Sequence, residues 1–173
     1  NNWQNKIKNY ESLFIKRDGA MYFEATTNYT FDPHIPNKNI VQDLYNYNSK
    51  LKFIYIVRRP IDRVISGYMH GRQIGTIKDD INIAIKENSF FIDITKYYHQ
   101  ISLYIKLFGQ SNVMIIDFDD LVLEQTTMMR NIATFLDIDF DFIITVCDNA
   151  NTACPTFPEN VKRLHWSIDD PFR

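Results

Sequence analysis

The chain has 173 residues, 45% of them hydrophobic and 14% aromatic, which is enough to bury one core, so we predict a single domain over residues 1–173. Its formal net charge of -2 excludes a general attraction to nucleic acid or to an anionic membrane, so any anion site must be local. No apolar run approaches the roughly 20 residues that span a bilayer, and the amino terminus NNWQNKIKNY lacks the pattern of a signal peptide.

The predicted elements alternate between helices and short strands. Apolar residues at helical spacing predict helices over Trp3–Phe14, Ile40–Tyr47, Ile81–Lys86 and Ile94–Phe108, the last one ending at Gly109 as its C-cap. Short apolar runs predict strands over Met21–Ala25, Phe53–Val57 and Val113–Ile116. This alternation implies right-handed βαβ units, so the predicted fold class is α/β, with a parallel sheet flanked by helices.

The most informative stretch is LKFIYIVRRPIDRVISGY, from Leu51 to Tyr68. Its continuous apolar run predicts a strand covered on both faces, and Pro60 predicts that a helix begins close behind it. Arg58 then lies at the carboxyl end of a strand, where α/β sheets bind ligands and where guanidinium and helix N–H groups can hold a phosphate. Ser66 can reach the same phosphate only if the helix packs back across the strand end. The alternative is a solvated basic edge of Arg58, Arg59 and Arg63.

The segment RRPIDRVISGY resembles the 3'-phosphate-binding segment of sulfotransferases that use 3'-phosphoadenosine-5'-phosphosulfate (PAPS). The family pattern of arginine, proline, arginine, serine and tyrosine is filled here by Arg58, Pro60, Arg63, Ser66 and Tyr68. The resemblance implies that Arg58 and Ser66 hold the 3'-phosphate of the cofactor.

Further segments resemble the same family in the same order, so the resemblance covers nearly the whole chain. They are Tyr10–Phe14, Phe23–Tyr29, Tyr97–Asp120 and the helical segment Met128–Ile138. The resemblance implies a three-layer fold related to P-loop kinases. It also implies transfer of a sulfuryl group from PAPS to a hydroxyl or amine of a carbohydrate, with 3'-phosphoadenosine-5'-phosphate (PAP) as product and no metal. We expect no nucleic-acid partner and no membrane contact of this segment.

The chain departs from the family pattern in three places. It contains no glycine-rich phosphate loop, so we expect it to begin after the first strand and the loop that hold the 5'-phosphosulfate. Ala25 stands where heparan-type members carry a lysine. Pro155–Pro158 replaces a Lys-Gly-Arg loop, so that cofactor binding would depend on Arg58, Ser66 and also Arg163 or Lys162.

Two residues are candidates for the base that accepts the proton of the acceptor. We interpret Glu24 first as a structural carboxylate, with orientation of the acceptor as the alternative. His70 is a candidate base, although a histidine on a helix beside an arginine is more often a substrate contact or a surface residue. The sequence names neither the catalytic base nor the acceptor, and it leaves the oligomeric state open.

Cys147 and Cys154 flank a polar turn of six residues. The resemblance implies a disulfide here, and two free thiols are the alternative. If the protein is eukaryotic and the disulfide forms, we expect a Golgi or secretory location, and otherwise a cytoplasmic one. The spacing of the cysteines and histidines does not predict a zinc site.

Two other functions fit the same residues. A P-loop nucleotide or small-molecule kinase shares the sheet and the arginines but requires a Gly-Lys-Ser/Thr loop and a magnesium-binding aspartate. A non-catalytic sulfotransferase-like module would bind a nucleotide or a glycan without transfer.

Overall fold

The computed structural model describes residues 2–15, 17–25, 28–30, 39–139, 142–145 and 162–165. In chain order its helices are α1 (Asn2–Glu11), α2 (Ile40–Tyr47), α3 (Pro60–Gln73), α4 (Ile81–Glu87), α5 (Phe90–Asp93), α6 (Tyr97–Phe108), α7 (Phe118–Leu123) and α8 (Gln125–Leu136). Its strands are β1 (Phe53–Val57), β2 (Val113–Asp117), β3 (Phe142–Thr145) and β4 (Lys162–His165). Two 3₁₀ turns lie at Asn28–Thr30 and Gln110–Asn112.

Two parallel strand pairs form the sheets of the described chain. β1 pairs with β2 from Phe53 opposite Val113 to Val57 opposite Asp117. β3 pairs with β4, also in parallel. Helices α3 to α6 connect β1 to β2, as parallel pairing requires a crossover of a dozen residues or more. The predicted α/β class with parallel pairing is therefore confirmed.

One core cluster joins the first sheet to α6 and α2. Tyr104 and Phe108 of α6 are almost completely buried and contact Phe53 of β1, whose ring centroid lies 4.9 Å from that of Tyr104 and 4.6 Å from that of Phe108. Val41 and Leu44 of α2 pack against the same cluster. Burial of an aromatic side chain contributes roughly 1.5–3 kcal/mol, so this cluster anchors the strand that precedes Arg58.

A second cluster fixes α3. Its inward face presents Val64, which packs with Ala84 of α4 and Phe91 of α5. A methyl group at Gly67 would lie 3.7 Å from the Phe91 ring, so α5 approaches α3 closely at this glycine. The helix that follows Arg58 is therefore held by α4 and α5.

The sequence located most of these elements. The strand Phe53–Val57 and the helix beginning at Pro60 are confirmed, and Gly109 caps α6 with a φ of 86°. The helix predicted from Ile94 begins only at Tyr97, after the separate short helix α5. The segment Met128–Ile138 is helical, but its helix begins earlier and ends at Leu136, because Asp137 adopts a left-handed φ of 58°.

Two predictions about strands are wrong. Met21–Ala25 forms no strand. The Tyr22 phenol donates to the carbonyl of Ile15 and accepts from the N–H of Arg17, both at 2.7 Å, which closes a loop in its place. Within the part of the chain that the structure describes, β1 is also not covered on both faces, because Ile54 and Ile56 remain 38% and 50% exposed.

Candidate functional site

The candidate site is the carboxyl edge of the β1–β2 sheet. Val57 pairs with Asp117 at the end of both strands, so Arg58 and Phe118 leave the sheet side by side. Helix α3 begins at Pro60, and its N-cap residue Arg59 makes no side-chain capping bond. The first N–H groups of this 14-residue helix therefore receive no hydrogen bond from that side chain. They lie at the same edge as Arg58, and uncapped N–H groups at a helix start favour binding of an anion.

Arg58 lies half-buried at this edge. Its Nε is buried and has no hydrogen-bond partner, while its Cζ lies 5.3 Å from the centroid of the Phe118 ring. An unsatisfied buried donor costs about 1–3 kcal/mol, and more when it is charged. The sequence predicts Arg58 as a phosphate ligand. In the structure this residue has a guanidinium N–H that lacks an acceptor.

The neighbouring arginine is engaged elsewhere. Arg59 forms an ion pair with Asp62, Nε to Oδ2 at 2.7 Å, and its side chain is 69% exposed. This contact raises the pKa of the Arg59 guanidinium. The two adjacent arginines thus differ in role: Arg58 presents a donor without a partner, and Arg59 is held by its own helix.

Ser66 lies on the exposed face of α3, opposite the inward-facing Val64. From Pro60 the helix rises about 9 Å to this serine. Ser66 lines an open groove with Met69, His70, Arg72 and Gln73. Among the described hydrogen bonds none joins Ser66 to Arg58. The structure thus places Ser66 beside His70, one helical turn away. That Ser66 and Arg58 bind the same phosphate stays a prediction.

Glu24 is occupied by two tyrosines. Oε2 accepts a hydrogen bond from Tyr10, and Oε1 accepts one from Tyr29 at 2.7 Å. The bond to Glu24, with a smaller contribution from burial, raises the pKa of Tyr10 to about 12. Burial, followed by the bond to Glu24, raises the pKa of Tyr29. Both carboxylate oxygens are used in tying these segments together, which favours the structural interpretation of Glu24.

A buried polar cluster under the sheet was not predicted from the sequence. Gln100, in the first turn of α6, is 5% exposed. It accepts a hydrogen bond from the Tyr55 phenol and donates one to the carbonyl of Asp93 at 2.9 Å. Tyr97 packs edge-on against Tyr55, and its buried hydroxyl has no partner. The sequence carries one signal for this cluster, because Gln100 lies on the apolar face of the helix predicted over Ile94–Phe108.

Four of the predicted residues belong to the carboxyl-terminal part of the chain. Cys147 and Cys154 lie outside the described residues. Lys162 and Arg163 belong to β4, of which the backbone alone is described. In the described ranges no group of three or more His, Cys, Asp or Glu side chains could hold a metal ion. Over the same ranges, no helix combines the length and apolarity needed to cross a membrane.

Parallel strand pairing with helical crossovers defines an α/β protein, and in α/β folds ligands commonly bind where the parallel strands end. The family model for the sulfotransferase domain matches residues 4–162, and the chain belongs to this family. The predicted membership of the sulfotransferase family is thus confirmed. A crystal structure of a sulfotransferase from Alicyclobacillus acidocaldarius has a similar fold, with a TM-score of 0.55, 20% identity, and 57% of this chain and 44% of that chain covered.

A second similarity is local. Arsenate reductase 1 of Bacillus cereus (strain ATCC 10987 / NRS 248) is 55% identical to this chain over 31 residues, which are 18% of this chain and 23% of the reductase. An arsenate reductase of Brevibacillus brevis is 52% identical, and one of Staphylococcus aureus 48% identical, over the same number of residues. The chain thus spans about a quarter of the length of these relatives.

Proposed function

We propose that this chain binds PAPS through its 3'-phosphate and serves sulfuryl transfer to a hydroxyl or amine of a carbohydrate acceptor. The observation that carries the proposal is the Arg58 Nε, buried without a partner at the carboxyl edge of the sheet. Membership of the sulfotransferase family supports the reaction, and the Arg58–Tyr68 segment supports the choice of donor. The family assignment also favours this function over the kinase alternative.

The residues at the edge fit a phosphate. Two oxygens of a phosphate at Arg58 would accept the unpaired Nε–H and a terminal N–H of the same guanidinium, the two-bond geometry that arginine prefers. The amino terminus of α3, which begins two residues later, offers backbone N–H groups and the positive end of the helix dipole. These donors together would hold a dianionic group.

When bound, PAPS supplies the sulfuryl group for an in-line displacement whose transition state spreads negative charge over equatorial oxygens, by analogy with phosphoryl transfer. The task of this chain's residues is then positioning and charge compensation. Arg58 binds and orients the nucleotide, and the Ser66 hydroxyl donates to it. His70, exposed in the groove beside Ser66, accepts the proton of the acceptor.

Calorimetric titration of the 173-residue chain with adenosine 3',5'-bisphosphate tests this proposal. A charge-assisted hydrogen bond contributes about 1.5–3 kcal/mol, so Arg58→Ala should weaken binding at least roughly tenfold. Arg59→Ala is the matched control, since this neighbouring arginine pairs with Asp62. Equal losses in both variants would indicate a general charge effect, and absence of binding by the wild-type chain would refute the proposal.

The local similarity to arsenate reductases favours a second candidate function. Reduction of arsenate to arsenite takes two electrons, which two thiols can supply. The two sulfurs join as a disulfide, and one arsenate oxygen leaves as water with the two thiol protons. The chain has two cysteines, Cys147 and Cys154, separated by six residues. We propose that the stretch around them is the one similar to the reductases, and that the pair alternates between dithiol and disulfide.

Counting free thiols before and after oxidation tests this second function. The fully reduced chain should lose both thiols when it is incubated with arsenate, and mass spectrometry should find one peptide pair linked through Cys147 and Cys154. Cys154→Ser should abolish the link. Retention of both thiols after incubation with arsenate and with a disulfide oxidant would refute the redox role of the pair.

A further inference from the structure

The arginine at the sheet edge is stacked on an aromatic ring. Val57 and Asp117 are partners in the parallel pair, so the next residues of the two strands, Arg58 and Phe118, emerge together. The Arg58 Cζ lies 5.3 Å from the centroid of the Phe118 ring. At this distance the face of the ring attracts a guanidinium.

The backbone of Phe118 is fixed by its position. Phe118 is the first residue of α7, and the Asp117 carboxylate caps this helix by accepting the Asp119 N–H at 2.8 Å. Asp117 is itself the last paired residue of β2. The ring is therefore attached to a rigid junction of strand and helix, which lets it restrict the orientation of a long side chain.

The contact with Phe118 leaves one donor of Arg58 without a hydrogen-bond partner. Its Nε is buried and unpaired, although the residue as a whole is only half-buried. Long arginine side chains lose rotamer entropy when they are fixed. A ring that already restrains the guanidinium removes part of this cost from ligand binding, because less freedom is lost when the anion arrives.

We propose that Phe118 is a positioning residue that holds the Arg58 guanidinium so that Nε–H and a terminal N–H face the 3'-phosphate. This inference rests on the proposed function, because it assigns a second residue to the same phosphate site. Phe118 acts through Arg58 and needs no contact with the nucleotide.

A double-mutant cycle measured by calorimetry with adenosine 3',5'-bisphosphate tests the inference. Phe118→Leu should weaken binding roughly three- to tenfold, the size of a partly desolvated cation–π contact. Phe118→Trp should retain the affinity. Leu123→Ala, at a position that is 78% exposed and turned away from Phe118 on the same helix, is the control and should bind like the wild type. In the Arg58→Ala background, Phe118→Leu should have no further effect.

A second readout needs no ligand. In the wild-type chain the Arg58 Nε–H resonance should be shifted by the Phe118 ring current and protected from solvent exchange, and Phe118→Leu should abolish both effects. This spectrum decides the outcome where Arg58→Ala leaves binding too weak to measure.

The outcomes separate the two proposals. If the wild-type chain does not bind the bisphosphate, the proposed function fails and this inference fails with it. If the wild-type chain binds and Phe118→Leu binds equally well, the inference alone is overturned. An equal loss on Phe118→Leu with and without Arg58 also overturns it, since Phe118 would then act independently of the arginine.

Discussion

Tyr29 donates its phenolic hydrogen to Glu24 Oε1 at 2.7 Å, while Tyr10 donates to the other oxygen of the same carboxylate. The carbonyl of Tyr29 in turn accepts a hydrogen bond from Tyr104 at 2.7 Å. Tyr104 belongs to the core cluster of α6. Glu24 therefore links α1 to the main core through two phenols.

Glu24→Gln should lower stability more than it lowers binding of the nucleotide. The amide offers one acceptor oxygen in place of two, so one phenol loses its partner, at a cost of roughly 1 kcal/mol in this exposed setting. Urea denaturation should show a lower midpoint with an unchanged slope. Glu87→Gln, at the exposed end of α4, is the control. A variant of normal stability that binds the bisphosphate but cannot transfer sulfate would instead make Glu24 catalytic.

The same contacts predict a loss of stability at alkaline pH. The folded chain holds the pKa of Tyr10 at about 12, above its ordinary value of 10.0, because the neutral phenol is bonded to Glu24. The stabilisation is therefore complete below pH 10 and is lost as the pH rises through about 12. Tyrosinate absorbance, followed together with unfolding, should show this late titration, and Tyr10→Phe should remove it. A Tyr10 that ionises near its ordinary pKa would contradict the contact.

Two glycine substitutions should act in opposite directions. Gly109 ends α6 with φ 86° and ψ 151°, a region open almost only to glycine, so Gly109→Ala should cost about 1–3 kcal/mol. Gly67 lies inside α3, where a methyl group would meet Phe91 and Ile94 at ordinary contact distances of 3.7 Å. Gly67→Ala should therefore stabilise by roughly 0.5–1 kcal/mol. Thermal unfolding of both variants checks the signs, and equal signs would contradict the two backbone assignments.

His70→Ala should separate transfer from binding. His70 is exposed in the groove beside Ser66, one helical turn farther from the amino terminus of α3. If it accepts the acceptor proton, its removal should lower the rate of sulfate transfer roughly 10²–10⁴-fold and leave the affinity for adenosine 3',5'-bisphosphate unchanged. Gln73→Ala in the same groove is the matched control. An unchanged rate of transfer would assign His70 to the surface.

The sequence predicts elements well where local signals decide them. Strand β1 ends as predicted because two arginines and a proline follow an apolar run, and α6 ends at a glycine with positive φ. Met21–Ala25 was predicted as a strand on the same kind of local evidence. This prediction is wrong because the Tyr22 phenol forms hydrogen bonds with the backbone of Ile15 and Arg17. Strand propensities of single residues do not include such a side-chain contact.

The candidate site can also be predicted from the sequence where local signals decide it, but not where contacts between distant segments do. The place of Arg58 follows from the end of one strand and can be predicted from the sequence. Its contact with Phe118 depends on the register between β1 and β2, strands separated by 55 residues, and no local pattern gives that register. The engagement of Glu24 by Tyr10 is likewise a tertiary contact between loop and helix.

The most direct test of the central claim compares two nucleotides that differ by one phosphate. Wild-type chain should bind adenosine 3',5'-bisphosphate at least roughly tenfold more tightly than adenosine 5'-monophosphate, because Arg58 holds the 3'-phosphate. Arg58→Ala should lose this preference, whereas Arg59→Ala, whose own side chain pairs with Asp62, should retain it. A preference that persists in Arg58→Ala, or a wild-type chain that does not distinguish the two nucleotides, would contradict the account.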